Sequence, residues 1–253
     1  LADTFDLVLL EKAFTESVKE ELSKHPLLKD KVQDIKEGVA QSEIQALVDN
    51  HVAVGLYQND ELVGCVKRAH EYDKNLSAHV LLENLSTKTS GVVALMNLFK
   101  DNDINPDDVE YIIECSEEAI GDMNQRGGGN LAKSVGEVVG LKNASGIDMR
   151  GFCAGPSHSL INAAALVKSG IYKNVVVVAG GCTAKLGMNG KSHVEKNLPA
   201  LEDCLGGFAV LISENDGVNP IIRTDVAGRH TIGHGASPQA VLEALVLEPL
   251  EKA

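Results

Sequence analysis

The sequence has little of what would assign it to several large classes of protein. Positive charge is scarce, with 23 Lys and Arg against 36 Asp and Glu and a formal net charge of −13. So acidic a surface repels the phosphates of nucleic acid, which excludes DNA and RNA as partners. No apolar run approaches the roughly 18 residues of a membrane span, and the N-terminal segment is unlike a signal peptide. We therefore predict a cytoplasmic protein that does not bind membranes.

Cysteine is sparse as well, and the usual cofactor motifs are missing. The five cysteines are widely spaced, with no CxxC pair and no His/Cys spacing typical of zinc sites. We therefore expect neither disulfides nor a metal. The glycine triplet Gly127 to Gly129 matches neither GxGxxG nor a P-loop, and we predict no cofactor.

The pattern of apolar residues divides the chain into two parts. Residues 1–60 carry apolar positions at helical spacing, such as Leu7, Leu10 and Phe14, which predicts a helical N-terminal extension. Residues 61–253 alternate apolar runs typical of strands with helical patterns. This alternation predicts an α/β domain whose sheet is covered by helices.

Several elements of the second part are well marked. Helices are predicted over 90–100, 130–139 and 154–169, and Gly170 follows the last of these as a C-terminal glycine. Strands are predicted near 62–66, 109–114, 144–149 and 208–212. Val175 to Val178 is a fully apolar run, as a strand buried on both faces requires.

One cysteine lies where a nucleophile is expected. In Asp148-Met-Arg-Gly-Phe-Cys-Ala-Gly-Pro-Ser157, Cys153 occupies the junction between a predicted strand and a helix rich in small residues. The N–H groups and dipole of a helix N-terminus stabilise a thiolate, and they also stabilise the oxyanion of a tetrahedral intermediate. The alternative is a buried structural cysteine, since free cysteines are usually buried.

Two stretches around this cysteine carry a family resemblance. Residues 91–212 resemble the N-terminal half of β-ketoacyl synthase III, a member of the thiolase-like superfamily. The matching segments include Ile104-Asn-Pro-Asp-Asp-Val-Glu-Tyr-Ile-Ile113, the stretch around Cys153, and Leu205-Gly-Gly-Phe-Ala-Val-Leu211. The resemblance implies a thiolase-like αβαβα half-fold with a five-stranded mixed sheet, and it makes Cys153 the acyl-accepting nucleophile.

Other motifs resemble a narrower family. Glu114-Cys-Ser-Glu-Glu-Ala-Ile-Gly-Asp-Met-Asn-Gln-Arg-Gly-Gly-Gly-Asn130, Phe152-Cys-Ala-Gly-Pro156 and Ala184-Lys-Leu-Gly-Met-Asn-Gly190 are similar to the β subunits of component C of glycine/sarcosine/betaine reductase complexes. The resemblance implies acyl transfer through a cysteine thioester, which forms acetyl phosphate from a carboxymethylated selenoprotein. It also implies three partners: the component C α subunit, selenoprotein component A and phosphate. The acetyl group rests either on Cys153 or on a cysteine of the α subunit.

The same resemblance bears on assembly and completeness. It implies a homodimer formed through the sheet edge near Val175 to Val178, where unpaired strand groups need partners. We expect the chain to be a piece of a longer protein that lacks the second half of the fold. The family's His and Asn partners of the cysteine belong to that half.

Polar loops supply the remaining candidates for substrate binding. Asn124 and Arg126 precede the glycine triplet, and a guanidinium attracts phosphate or carboxylate through charge-assisted bonds. Asn189 and His193 lie in a second polar loop. A structural or subunit-contact role for the first loop, and a solvated position for the second, remain alternatives.

Two rival functions remain open. One is a β-ketoacyl synthase III-like condensing enzyme that acts on malonyl thioesters. The other is a non-catalytic half that serves assembly of the complex, in which the cysteine is buried and inert.

Overall fold

The computed structural model describes residues 7–116, 131–151, 154–182, 195–197, 205–235 and 237–253. Within these ranges the first part of the chain forms strand β1 (Val8–Leu10), helix α1 (Lys12–Ser23), helix α2 (Gln41–Asp49), β2 (Ala53–Gln58) and β3 (Glu61–Lys67). The three strands form an antiparallel sheet in the order β1-β3-β2. Helix α2 covers it through Ile44, which packs against Ala53, Leu62 and Cys65.

The N-terminal part therefore contains the predicted helices and also three strands. β1 has only three residues, too few for a period to be read from the sequence. β2 and β3 are joined by a tight turn at Asn59 and Asp60, both of which have positive φ. The hairpin thus crosses the predicted boundary at residue 60, and the division of the chain into domains stays a prediction.

A second sheet carries the rest of the described chain. It contains β4 (Tyr111–Glu114), β5 (Ser145–Asp148), β6 (Val175–Cys182) and β7 (Leu205–Ile212). The strand order is β5-β4-β6-β7; β4 is parallel to both of its neighbours, and β7 is antiparallel to β6. The predicted α/β class with a mixed sheet is confirmed. Four strands are described where five were expected.

Helices cover both faces of this sheet. On one face lie α3 (Ala78–Asp101), which packs on Val176 and Val178, and α4 (Leu131–Val139), which packs on β4 and β5. On the other face lies α5 (Gly155–Lys168), which packs on Val175 and Val177. All four valines are fully buried because successive residues of a strand point to opposite faces, and both faces are covered. The prediction of a strand buried on both faces is confirmed.

The same strand corrects the predicted dimer edge. Val175 to Val178 pair with Tyr111 to Glu114 on one side and with Ala209 to Ile212 on the other. Their backbone groups are therefore satisfied within the sheet, and no edge exists there. Among the described strands, β5 and β7 form the edges. The apolar run showed that the strand is buried, but it carried no information about its neighbours.

Helix α3 begins earlier than the pattern indicated. It starts after Ser77, whose Oγ accepts the N–H of Val80, rather than at Ser90. Its early turns mix polar with apolar residues and bury only one stripe, which includes Leu81, Asn84 and Thr87. After β7 the described chain ends in short helical segments at Pro238–Leu242, Glu243–Leu247 and Glu248–Lys252. None of the helices in the described ranges combines the length and hydropathy of a membrane span.

Candidate functional site

The parallel strands bring three chain segments together at one end of the second sheet. β4 ends at Glu114, β5 ends at Asp148, and β6 continues beside them as far as Cys182. In open α/β sheets, ligands bind in the crevice outside the carboxyl ends of the strands. We take this end of the sheet, which we call the carboxyl edge, as the candidate site.

A buried carboxylate lies at the carboxyl edge. The Glu114 side chain is 2% exposed, and its Oε2 accepts a hydrogen bond of 2.6 Å from Nη1 of Arg150. Burial raises the pKa of Glu114, although the nearby Arg150 guanidinium and the bonds from Ser116 lower it. An ionisable group held away from water at the end of a strand is typical of functional sites.

Arg150 joins the ends of two strands. Its Nη1 also donates to the carbonyl oxygen of Ser116 at 3.1 Å, and its Nη2 donates to Oδ2 of Asp148 at 2.8 Å. The Asp148 side chain is 3% exposed. Asp148 in turn accepts the N–H groups of Leu131 and Ala132 at 3.1 and 2.7 Å, so it also caps helix α4.

Ser116 extends the same network to β6. Its N–H donates to Oε1 of Glu114 at 2.9 Å, and its Oγ accepts the N–H of Gly180 at 2.8 Å. Polar contacts therefore run without interruption from helix α4 through Asp148, Arg150 and Glu114 to β6. We call Glu114, Ser116, Asp148 and Arg150 the edge cluster.

Helix α5 begins at the same edge. The N–H of Ala154 donates to the carbonyl oxygen of Gly151 at 3.0 Å, and α5 starts at Gly155 with Pro156 in its first turn. A Cβ on Gly155 would lie 3.3 Å from the carbonyl oxygen of Cys115, so a glycine lets the helix approach the end of β4 closely. Alanine at 154 has no side-chain acceptor, and among the described residues no side chain caps the start of α5.

Cys115, which follows Glu114, has the features of a structural cysteine. It is buried, its Sγ lies 3.5 Å from the carbonyl oxygen of Val178, and burial raises its pKa to about 11. Because the thiolate is the reactive species, such a thiol is inert at neutral pH. Cys115 is therefore a structural residue.

The five predicted site residues are not among the described residues. Cys153, Asn124, Arg126, Asn189 and His193 all lie outside the described residues. Their roles remain predictions.

Two histidines of the described chain, His158 and His234, are of the residue type most often used as a general base. His158, in the second turn of α5, and His234 are both exposed. The ring of His234 lies 6.2 Å from that of His230. In the described part of the chain, no group of three metal-binding side chains occurs.

The edge cluster was not predicted from the sequence. Its signal was present in outline, because Glu114 and Asp148 each end an apolar strand pattern and an arginine follows two residues after Asp148. An acidic residue that directly follows a buried run needs a partner. Only the pairing of β4 with β5 identifies that partner as Arg150.

Comparison with known proteins relates the chain to thiolase-like enzymes. The family of 3-oxoacyl-[acyl-carrier-protein (ACP)] synthase III matches residues 147–228. The component C β subunit of the glycine/sarcosine/betaine reductase complex of Peptoclostridium acidaminophilum is 62% identical over 250 residues, which is 99% of this chain. The chain is a homologue of this subunit. It spans about half the length of that relative, 49%.

More distant relatives belong to the condensing enzymes. The β-ketoacyl synthase III of Listeria monocytogenes serotype 1/2a is 31% identical over 87 residues, 34% of this chain and 26% of that protein. The predicted relationship to component C β subunits is thus confirmed, and the mixed sheet between helices agrees with the predicted α/β class.

Two solved structures, of a β-ketosynthase and of a 3-oxoacyl synthase III, are similar to parts of this chain. A priming β-ketosynthase of the R1128 polyketide pathway matches with a TM-score of 0.40 and 23% identity, over 51% of this chain and 36% of the other. The 3-oxoacyl synthase III of Aquifex aeolicus matches with a TM-score of 0.38 and 14% identity, over 83% and 52%.

Proposed function

We propose that Cys153 carries an acetyl group as a thioester and passes it to phosphate. A phosphate oxygen attacks the thioester carbonyl, the carbon–sulfur bond breaks, and the products are acetyl phosphate and the Cys153 thiolate. The acetyl group originates from the carboxymethyl group of selenoprotein component A, as the relationship to component C implies. In that step the carbon–selenium bond breaks, a second thiol bonds to selenium and so supplies the two electrons that reduce the carbon, and hydroxide leaves the carboxylate as the Cys153 thioester forms. Asn124, Arg126, Asn189 and His193 are the proposed substrate-binding residues, and Arg126 attracts the phosphate.

The observation that carries this proposal is the position of residue 153 in the chain. It stands between β5, which ends at Asp148, and helix α5, whose N-cap residue Ala154 makes no side-chain cap bond. A cysteine next to a helix N-terminus has a lowered pKa. The match to the synthase III family spans the same stretch, residues 147–228.

The proposed partners are the α subunit of component C, component A and a second copy of the subunit. For the second copy we propose β7 as the contact, because it is the longer of the two edge strands among the described residues, with 8 residues against 4 in β5. Val210 on this strand is 37% exposed. An edge of eight residues with unpaired N–H and C=O groups can extend its sheet into a neighbouring subunit.

The test is acetyl phosphate formation by the full complex. Cys153→Ser in the full-length subunit is expected to abolish it, because a serine hydroxyl is a far weaker nucleophile and leaving group at neutral pH. Cys65→Ala, in the buried core of the N-terminal sheet, is the matched control and is expected to retain activity. Normal acetyl phosphate formation by Cys153→Ser would indicate that the α subunit carries the acetyl group.

A second candidate function is condensation with malonyl thioesters, which the match to the synthase III family favours. The same purified complex distinguishes the two. Release of CO2 from malonyl thioesters that depends on Cys153 would support the condensing enzyme. A complex in which Cys153→Ser changes neither reaction would support the assembly role.

A further inference from the structure

Arg150 lies between the two anchored ends of a short segment. At one end the N–H of Met149 donates to the carbonyl oxygen of Glu114 at 2.7 Å, which extends the β5–β4 pairing by one residue. At the other end the Ala154 to Gly151 bond closes a turn, and Gly155 packs against Cys115. The Arg150 side chain is the ionic anchor between these two fixed points.

The anchor is specific for a guanidinium. Nη1 reaches Glu114 and the Ser116 carbonyl, while Nη2 reaches Asp148, so a planar fork joins groups on two strands. A lysine carries the same charge on a single nitrogen and cannot reproduce this geometry. A change from arginine to lysine therefore separates geometry from charge.

The charge of the edge cluster also depends on Arg150. Two nearly buried carboxylates face one guanidinium that is 27% exposed, and the N-terminus of α4 supplies further positive potential to Asp148. Without Arg150, Glu114 would lose its charged partner, and Asp148 would keep only the N–H groups of α4. The added negative potential at this edge would oppose formation of a thiolate at Cys153.

We propose that Arg150 is a positioning residue for the reaction at Cys153. Through Glu114, Asp148 and the Ser116 carbonyl it fixes the chain where it leaves β5, and it compensates the charge of the two carboxylates. The inference rests on the proposed function of Cys153. Arg150 itself touches neither the acetyl group nor phosphate in this account.

The first test uses Arg150→Lys in the full-length subunit within the complex. We expect the kcat for acetyl phosphate formation to fall at least about tenfold, with the KM for phosphate unchanged, because misaligned reacting groups lose rate rather than affinity. The matched control is Arg223→Lys. Arg223 also bonds an aspartate two residues away, Asp225 at 2.7 Å, but both side chains are at least half exposed. This control is expected to keep the wild-type rate.

The second test is the pH profile of iodoacetamide labelling at Cys153. Arg150→Met is expected to raise the midpoint of this profile by about one unit or more, because two carboxylates lose their counter-charge. Glu114→Gln removes the charge and replaces one carboxylate oxygen with an NH2 group, at nearly the same size. It is expected to slow acetyl transfer several-fold even if the Arg150 variants fail to fold.

The outcomes separate the inference from the proposed function. If Cys153→Ser abolishes transfer but the folded Arg150 and Glu114 variants keep the wild-type kcat and labelling midpoint, Arg150 is only structural and the inference is overturned. If Cys153→Ser turns over normally, the proposed function fails first. If the folded Arg150 variants only unfold at a lower urea concentration, with kcat and the labelling midpoint unchanged, Arg150 has a structural role and the inference is likewise overturned.

Discussion

Two glutamates at opposite ends of one strand have very different surroundings. Glu110 directly precedes β4, is half-buried, and uses Oε2 to accept the N–H groups of Lys173 and Asn174 before β6. Glu114 ends β4, is almost fully buried, and bonds Arg150 and Ser116. The first holds a loop with ordinary hydrogen bonds, whereas the second places a charge in the interior.

The difference shows which end of the sheet carries functional constraint. A carboxylate near the surface exchanges water for N–H donors at little net cost, whereas burial of a carboxylate must be offset by a charged partner. The buried ion pairs of the described sheet lie at the carboxyl edge, where the segment that contains Cys153 begins. The first predictions test the packing and the charge of the carboxyl edge, and the last tests the other end of β4.

The largest expected effect comes from filling the tight packing at the carboxyl edge. A Cβ added at Gly180 of β6 would lie 1.9 Å from the carbonyl oxygen of Thr87 and 2.6 Å from the nitrogen of Gly91, both backbone atoms of α3. Gly180→Ala should therefore lower the free energy of unfolding by more than about 4 kcal/mol or prevent folding.

The control for this change is the next residue. A Cβ at Gly181 meets nothing within 4 Å among the described residues, and Gly181→Ala should cost less than about 1 kcal/mol. Urea unfolding of both variants measures the difference. Equal midpoints would show that α3 does not press on β6 as the structure has it.

The next effect comes from removing the charged partner of Glu114. Arg150→Met should cost about 3 kcal/mol near pH 7, because it leaves buried carboxylates without a counter-ion. Arg223→Met removes an exposed pair and should cost less than about 1 kcal/mol. A loss of similar size in both variants, measured by urea unfolding, would contradict the burial contrast.

A smaller effect is the pH dependence that Glu114 contributes. Burial raises its pKa above the usual 4.5, so the folded protein binds this proton more tightly than the unfolded chain does. The free energy of unfolding should then fall as the pH rises from about 4.5 through the raised pKa, by about 1.4 kcal/mol per unit of the shift. Glu114→Gln should lack this contribution.

Urea unfolding of the wild type and of Glu114→Gln at a series of pH values gives the required difference. The stability of the wild type relative to the variant should decrease with rising pH. A relative stability that increases with pH would mean that attraction to Arg150 outweighs burial and lowers the pKa of Glu114.

The smallest effect is expected at the other end of β4. Glu110→Gln keeps a side-chain oxygen that can accept from Lys173 or Asn174, and it should change the free energy of unfolding by less than about 1 kcal/mol. A loss as large as that of Arg150→Met would remove the distinction between the two ends.

The sequence predicted the elements more readily than their neighbours. Val175 to Val178 indicated a buried strand because every residue is apolar, and Gly170 marked the end of α5. Local patterns do not state which strands flank β6, and for that reason the dimer edge was placed wrongly. The three residues of β1 are likewise too few to show a period.

The candidate site, like the fold, could be predicted only where its residues are close together in the sequence. Cys153 was singled out because its motif is continuous in the chain. Glu114 and Arg150 lie 36 residues apart, and only the parallel pairing of β4 with β5 brings them together. A cluster assembled by topology has no local signature, although each of its members ends or follows a recognisable strand.

The most direct measurement is the site of acetyl attachment in the working complex. The complex is incubated with acetyl phosphate carrying labelled acetyl, quenched in acid, and digested for peptide mass spectrometry. We predict label on the peptide that contains Cys153 and none on the peptide that contains the buried Cys115. Labelled acetyl found only on the α subunit, or on no cysteine at all, would contradict the account.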